Sequence, residues 1–204
     1  MWSSEVTNMI ITGIWETLYM TLVSTLVGYV IGLPMGIILT VSDKDGIKPN
    51  AVLYKILDVI ANIVRSVPFI ILLVLLIPFT RLVVGKSYGS TATIVPLVIA
   101  AAPYIARMVE SSLKEVDAGV IEAARSMGAS NFTIITKVML VEARTSLLVG
   151  ATITLGTILG YSAMSGAVGG GGLGAIAIRY GYTRWQTDIM IVTVILLFFL
   201  FQIF

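Results

Sequence analysis

The sequence predicts an all-α integral membrane protein with five transmembrane helices, in which residues 1–204 form a single transmembrane domain. Of the 204 residues, 57% are hydrophobic and only 12% are charged, whereas a soluble domain carries about 25% charged residues. The charges also leave long stretches free, and none lies between Glu16 and Asp43. Because about 20 helical residues cross the roughly 30 Å core of a bilayer, stretches of this length predict membrane spans.

The positions of the spans follow from the gaps between charged residues. Uncharged stretches run from Lys86 to Arg107 and from Arg144 to Arg179, and another closes the chain. A shorter uncharged stretch ends at Arg81 and belongs to the second span. The five spans are predicted near residues 17–41, 60–84, 90–110, 144–167 and 186–204.

Basic residues are distributed unevenly between the two sets of loops. Cytoplasmic loops of membrane proteins carry an excess of Lys and Arg. Eight basic residues lie after the first span and around the loop after the third span, against four in the opposite loops. The sequence therefore predicts an N-terminus outside the cell and a C-terminus in the cytoplasm. The eight are Lys44, Lys48, Lys55, Arg107, Lys114, Arg125, Lys137 and Arg144, and the four are Arg81, Lys86, Arg179 and Arg184.

Composition also excludes several classes of function. The chain has no Cys and no His, which removes thiolate nucleophiles, Ser-His triads and thiolate metal sites. We expect no catalytic site, no metal site and no bound cofactor in this chain, and the net charge of +2 does not indicate a nucleic-acid partner. Two segments, TRLVVGKS at 80–87 and GAVGGGGLG at 166–174, resemble nucleotide-binding loops. Both follow membrane spans and not strands, so we predict no nucleotide site there.

Glycines recur at intervals of four residues in two of the predicted spans. Small residues at this spacing let helix backbones approach closely in lipid. The spacing fits ordinary packing within one subunit and also fits a subunit interface, and both interpretations stay open. The glycines are Gly28, Gly32 and Gly36 in the first span, and Gly156 and Gly160 in the fourth.

Arg65 is an ionisable residue near the start of the second span. Its long side chain is expected either to reach the membrane surface or to face the protein interior. Asp58 lies close enough along the same helix to pair with Lys55 or Arg65.

The loop between the third and fourth spans, at about 117–141, predicts a helix–turn–helix. Asp117 is suited to cap the first helix, Gly128 allows the chain to turn, and Ser130 or Asn131 caps the second helix. We expect Val120, Ala123, Ala124 and Met127 to form the apolar side of the first helix, and Phe132, Ile135 and Met139 that of the second.

The hairpin is predicted to be held at both ends by membrane helices. Arg107, Glu110 and Lys114 recur at helical spacing and indicate that the third span continues into the cytoplasm as a stem. A hairpin held in this way is suited to receive force from a soluble partner. An amphipathic hairpin that lies on the lipid surface fits the pattern equally well.

This hairpin resembles the EAA loop of bacterial ABC-importer permeases. Glu122-Ala123-Ala124 is followed after three residues by Gly128, and after nine more by Val138-Met139-Leu140. The family pattern ends in I-x-L-P, so Val138 is a mild substitution and Val141 replaces the proline. The resemblance implies coupling helices that dock into a cleft of a separate ATPase subunit. The coupling residues that it implies are Glu122, Ala123, Ala124, Gly128 and Phe132.

The rest of the chain resembles the methionine-uptake permeases of the type I importer fold. The resemblance rests on the five spans, on RSVPF at 65–69 and on YSAMSGAVGGGGLGAIAIRYGY at 161–182. It implies a permease in the bacterial inner membrane that forms a homodimer, with a cytoplasmic ATPase dimer that binds ATP and Mg and an external substrate-binding protein.

Three alternatives to a methionine importer stay open at this point. A permease of the same class that imports another amino acid or a small polar solute fits the sequence as well, because spacing and composition do not decide the substrate. A passive pore has no need of the central hairpin. A membrane enzyme is disfavoured by the lack of His and Cys.

A gate is predicted where the fourth span ends, in the segment YSAMSG. Small residues there permit close approach and movement, and Met164 is the large, flexible apolar side chain among them. Two copies of Met164 in a dimer would plug its axis, with Ser162 and Ser165 beside the path. The alternative is that Met164 packs against a neighbouring span.

Overall fold

The computed structural model describes residues 4–204, and every regular element in that range is a helix. The chain divides into two compact units. The first contains residues up to Val27 together with Val67–Ala100 and Leu155–Phe204, and the second contains Gly28–Ser66 and Ala101–Thr154. The helices are α1 Ser4–Ser42, α2 Ala51–Ser66, α3 Phe69–Leu75, α4 Ile77–Val84, α5 Ser90–Lys114, α6 Ala118–Ser126, α7 Asn131–Thr133, α8 Leu140–Glu142, α9 Arg144–Ser165, α10 Gly172–Ile176 and α11 Thr187–Ile203.

Among the described residues, three helical stretches are long and apolar enough to cross a membrane. They are Ser4–Ser42, Ser90–Lys114 and Arg144–Tyr182, and the bent pair of α2 and α3 makes a fourth if it is counted as one span. The helix α11 is apolar and has 17 residues, which is at the lower end of the length that crosses a bilayer. Five spans were predicted, and the structure has three long ones, the bent pair of α2 and α3, and the shorter α11.

The predicted second span differs most from the structure. Residues 60–84 do not form one helix, because α2 ends at Ser66, α3 begins at Phe69 and α4 begins at Ile77. Pro68 precedes α3 with φ −54° and ψ 133°. A proline has no backbone N–H and disfavours helical backbone in the residue before it, so the helix stops here.

The first unit has an apolar core built from α1, α9, α10 and α11. Its buried members come from all four helices, and further apolar side chains of α1 and α11 pack against them. Because lipid tails are as apolar as these side chains, close packing of the helices and not exclusion of water stabilises a core of this kind in a membrane. The buried members are Ile10, Leu159, Leu173, Ile176, Ile189 and Leu200.

In the second unit, the glycine row of α1 lies against α5. A Cβ atom on Gly32 would come within 2.6 Å of the carbonyl oxygen of Ala102, and one on Gly36 would come equally close to that of Ala106. Gly28 is packed in the same way, with the Cβ of Ala101 at 2.9 Å. These three glycines therefore serve packing within one chain, which was one of the two interpretations of their spacing.

The two glycines of α9 differ from each other. A Cβ on Gly156 would lie 2.8 Å from the ring of Phe201 on α11, so this glycine is also a packing position. A Cβ on Gly160 would meet no atom within 4 Å. Gly160 therefore packs against no other part of the described chain, and the interpretation of its spacing as a subunit interface stays a prediction.

The glycine-rich segment after α9 is bound closely to α1. The amide of Gly172 donates to Glu16 Oε2 at 2.7 Å, and the amide of Leu173 donates to Thr17 Oγ1 at 2.9 Å. The hydroxyl of Thr93 also contacts the carbonyl oxygen of Gly170. These contacts satisfy backbone groups that a break in a membrane helix would otherwise leave without partners.

Candidate coupling hairpin and translocation residues

The segment between α5 and α9 is a helical hairpin with a cap at the start of each helix. The Asp117 side chain accepts a hydrogen bond from the Gly119 amide at 2.7 Å and caps α6. The Ser130 hydroxyl accepts one from the Thr133 amide at 3.2 Å and caps α7. Gly128 lies between the helices with φ +81°. The predicted caps and the predicted glycine turn are confirmed.

The second helix of the hairpin departs from the expected pattern. After α7 the chain continues as a π-helix over Ile134–Met139, and the side chains that it buries are Ile134 and Met139. The hydrogen bonds of a π-helix join residues i and i+5, so these two positions lie about one turn apart on a similar side. Met139 is buried as predicted, whereas Ile134 is buried in place of Ile135, and Phe132 is 76% exposed.

The first helix buries only part of its predicted apolar side. Ala124 is buried, and α6 packs against the π-helix. In contrast, Val120 is 41% exposed and Met127 is 81% exposed, and Ala123 is exposed as well. The hairpin therefore presents apolar side chains that the chain itself leaves uncovered.

Four of the five predicted coupling residues lie on this uncovered surface. Glu122, Ala123, Gly128 and Phe132 are exposed, whereas Ala124 faces the interior. Glu122 lies in the second turn of α6, because the helix starts at Ala118 directly after its Asp117 cap. Its carboxylate therefore gains little from the helix dipole, whose effect fades within the first turn.

The hairpin joins α9 without the break that a proline would introduce. The Ala143 amide donates to the carbonyl of Met139 at 2.9 Å, and the Leu147 amide donates to that of Ala143 at 2.9 Å. Valine at 141 supplies an N–H group that proline lacks. The hairpin and α9 are therefore almost continuous.

The three predicted translocation residues have different surroundings. Met164 is 47% exposed. Ser162 and Ser165 are buried, and their hydroxyls donate to backbone carbonyls of their own helix at 2.8 Å and 2.6 Å. Of the three, Met164 has the side chain that is open to another molecule.

The structure also brings together polar residues that the sequence did not pair correctly. Asp58 forms an ion pair with Arg107 and not with either of its expected partners, Lys55 and Arg65. Arg65 is exposed at the end of α2. The misassignment is understandable because only local spacing is visible in a sequence, whereas Asp58 and Arg107 come from different helices.

Apolar membrane-length helices joined by an exposed helical hairpin define this molecule as a polytopic membrane protein. Residues 28–204 match a family of sequences that is described as the binding-protein-dependent transport system inner membrane component. The chain belongs to this family of inner-membrane transport subunits.

Two relatives give the extent of the similarity. A probable D-methionine transport system permease protein MetI from Vibrio cholerae serotype O1 is 49% identical over 202 residues, which cover 99% of this chain and 90% of that protein. The D-methionine transport system permease protein MetI of Escherichia coli strain K12 is 53% identical over 158 residues, covering 78% of this chain and 73% of that one.

Solved structures support the same fold. An inward-facing crystal structure of the MetNI methionine ABC transporter contains a chain that superposes with a TM-score of 0.96 at 51% identity, covering 99% of this chain and 94% of that one. An amino acid ABC transporter crystallised with histidines has a TM-score of 0.79 at 22% identity, covering 97% and 90%. The second likeness shows the fold alone.

Proposed function

We propose that this chain is the membrane permease subunit of an ATP-driven methionine importer. The observation that carries the proposal is the exposed hairpin of α6 and α7, in a chain that is about half identical to methionine permeases over nearly its whole length. The hairpin leaves Val120, Met127 and Phe132 uncovered. An exposed apolar surface of this kind marks a contact with a partner.

The partner that fits this surface is a cytoplasmic ATPase subunit. The hairpin docks into the ATPase through Glu122, Ala123, Gly128 and Phe132, while Ala124 lets α6 lie close to the π-helix beneath it. ATP and Mg are bound by that subunit, and this chain supplies no hydrolytic group. The chain pairs with a second copy of itself and receives substrate from an external binding protein.

The hairpin then faces the cytoplasm, with the N-terminus outside and the C-terminus inside. The excess of basic residues around the hairpin and after α1 supports this orientation. Because the chain has no Cys, single cysteines test it without background. Cysteine at Ser4 or Ser87 should react with an impermeant thiol reagent in intact cells, and cysteine at Ser130 should not.

The function is tested by reconstitution. The chain is coexpressed with the methionine ATPase subunit, extracted in mild detergent and placed in vesicles with the binding protein, and uptake of labelled D- and L-methionine is measured with and without ATP. Copurification of the ATPase and ATP-dependent methionine uptake are expected. A hydrolysis-deficient ATPase serves as the control.

Two results would contradict the proposal. ATP-dependent uptake of a different amino acid in preference to methionine would leave the permease class intact and change the substrate. Uptake that proceeds without the ATPase would indicate a passive pore.

A further inference from the structure

A row of polar side chains joins α2 to α5 in the unit that carries the hairpin. On α2 the members are spaced four residues apart, and on α5 they are spaced three and four residues apart, so each set lies on one side of its helix. We refer to these six residues as the polar row: Tyr54, Asp58 and Asn62 on α2, and Arg107, Glu110 and Lys114 on α5.

Arg107 is the centre of this row. Its guanidinium forms an ion pair with the carboxylate of Asp58, and its Nη1 donates to Glu110 Oε2 at 2.7 Å. Its Nη2 also donates to Asn62 Oδ1 at 3.1 Å. Nη2 therefore bonds two successive turns of α2 while Nη1 binds Glu110 of α5 itself, and the planar guanidinium fixes these directions relative to each other, which a flexible ammonium does not.

The row continues to the end of α5 and from there to the residue after α1. Lys114 Nζ lies 2.8 Å from Glu110 Oε1 and 2.7 Å from Asp43 Oδ2. The Tyr54 hydroxyl donates to the same oxygen of Glu110 at 3.3 Å. The hydrogen bond from Lys114 holds the pKa of the Asp43 carboxyl below its usual value. Positive and negative charges thus alternate along the row.

The row ends directly at the hairpin. Two residues separate Lys114, the last residue of α5, from Asp117, the cap of α6. The Arg125 guanidinium of α6 also donates to the carbonyl of Ile47 at 3.0 Å, in the connection between α1 and α2. A displacement of α6 is therefore passed on both through the chain and through a side-chain contact.

Stability alone does not account for this arrangement. The Glu110 side chain is only 6% exposed, and removing a carboxylate from water costs much of what its ion pairs return. Apolar side chains of similar size would hold two helices together at least as well. Buried ionic contacts are best attested as devices that fix one register between helices, because a shifted register leaves charges without partners.

We propose that the polar row makes α2 move together with the coupling hairpin, with Arg107 as its central positioning residue. The proposal rests on the proposed function, since it requires an ATPase that displaces the hairpin. The directional bonds from Arg107 to Asp58 and Asn62 prevent α2 from sliding along α5 when the hairpin moves. Without them, hydrolysis continues but its displacement no longer reaches α2.

The test measures uptake and ATP hydrolysis in the same vesicles, with the complete permease–ATPase complex and its binding protein. Arg107→Met removes the fork and keeps much of the side-chain volume. We expect the substrate imported per ATP hydrolysed to fall at least about 10-fold, within the range of typical coupling energies. Copurification of the ATPase and the hydrolysis rate should stay near wild type.

Matched variants separate positioning from a merely structural role. Arg65→Met removes an exposed arginine of the same α2 outside the row, and should leave the ratio of uptake to hydrolysis unchanged. Arg107→Lys keeps the charge but not the fork, and should give an intermediate ratio. If Arg107→Met fails to assemble, Asn62→Leu keeps every charge of the row and should still lower the ratio about 2–5-fold.

The outcomes distinguish this inference from the proposed function. An unchanged ratio in Arg107→Met or in Asn62→Leu would overturn the inference. Uptake and hydrolysis that fall in equal proportion would overturn it too, because they indicate loss of structure and not of coupling. A wild-type complex that hydrolyses ATP but imports no methionine would instead contradict the proposed function.

Discussion

The hairpin and the glycine-rich segment both interrupt the apolar helices. Each contains a glycine with left-handed backbone, but the surroundings of the two glycines differ. In the hairpin, Gly128 has φ +81°, and a Cβ atom there would meet no atom within 4 Å. In the glycine-rich segment, Gly172 has φ +73°, and a Cβ atom would lie 2.7 Å from the hydroxyl of Thr17. The first turn faces open space, and the second is packed against α1.

The hairpin therefore has a surface that another protein can contact, whereas the glycine-rich segment is packed within the chain. The amides of Gly172 and Leu173 are already bonded to α1, so this part of the glycine-rich segment is satisfied within the chain. The hairpin leaves Met127 and Phe132 uncovered. Changes in the glycine-rich segment should therefore act on folding, and changes in the hairpin should act on coupling.

The largest effect is expected for Gly172→Ala. A left-handed backbone costs an alanine about 1–2 kcal/mol, and the added methyl group must displace Thr17 or Met20, which costs about 1–3 kcal/mol more. We expect a strong loss of folded protein and a Tm lower by several degrees in detergent. Gly160→Ala is the control, because its Cβ meets no atom and its backbone is helical. Equal stability of the two variants would contradict the packed-turn interpretation.

Gly128→Val should instead abolish uptake while folded protein is retained. A β-branched residue resists a positive φ, but the site is open, so nothing else has to move. The turn is expected to change its shape and the hairpin to miss its docking site. Methionine uptake and the amount of extracted protein are measured together. Gly128→Asn should keep most of the uptake, because asparagine tolerates left-handed backbone. A Val variant with normal uptake would show that the turn geometry does not matter.

The hairpin could be predicted well from sequence because its signals are local. The bonds from Asp117 to the Gly119 amide and from Ser130 to the Thr133 amide span two and three residues, and such caps leave a clear trace in sequence. The π-helix at 134–139 leaves none, so Met139 was assigned correctly to the buried side but Ile135 was assigned there in place of Ile134. Which face a helix buries depends on packing between helices, which sequence spacing does not contain.

The polar row is a second case in which sequence spacing did not identify the packing partner of a helix. The spacing of Arg107, Glu110 and Lys114 predicted a continued helix, and α5 does extend to Lys114. The partner of Arg107 lies on another helix, 49 residues away in the chain. Helical spacing can indicate that a side is polar, but it cannot identify which helix that side meets. Ser162 and Ser165 are buried with their hydroxyls bonded to their own helix, and their place beside a path stays a prediction.

Glu122→Lys should have a smaller effect than the change of turn. The carboxylate is exposed in this chain, so reversing its charge should not affect folding. When the hairpin is docked, the variant places a lysine at a position of the interface that accommodates a glutamate. A change of charge in an interface costs about 2–5 kcal/mol when the group becomes buried. We expect reduced ATPase copurification and a large but incomplete reduction of uptake. Glu142→Lys, an exposed glutamate at the far end of the hairpin, is the control. Normal copurification and normal uptake in Glu122→Lys would count against docking through this residue.

The smallest effect is expected at Met164, where the end of α9 meets the glycine-rich segment. Met164 is half-exposed, whereas Ser162, two residues earlier, is buried. If two copies of Met164 meet at the axis of a dimer, Met164→Cys should cross-link between subunits in the nucleotide-free complex and give a lower yield with ATP bound. The chain has no other cysteine, so the product is unambiguous.

Ser162→Cys should not cross-link, because that position faces its own unit. Equal yields at the two positions, or no product from Met164→Cys in a dimer shown intact by other means, would remove Met164 from the axis and leave it as a packing residue.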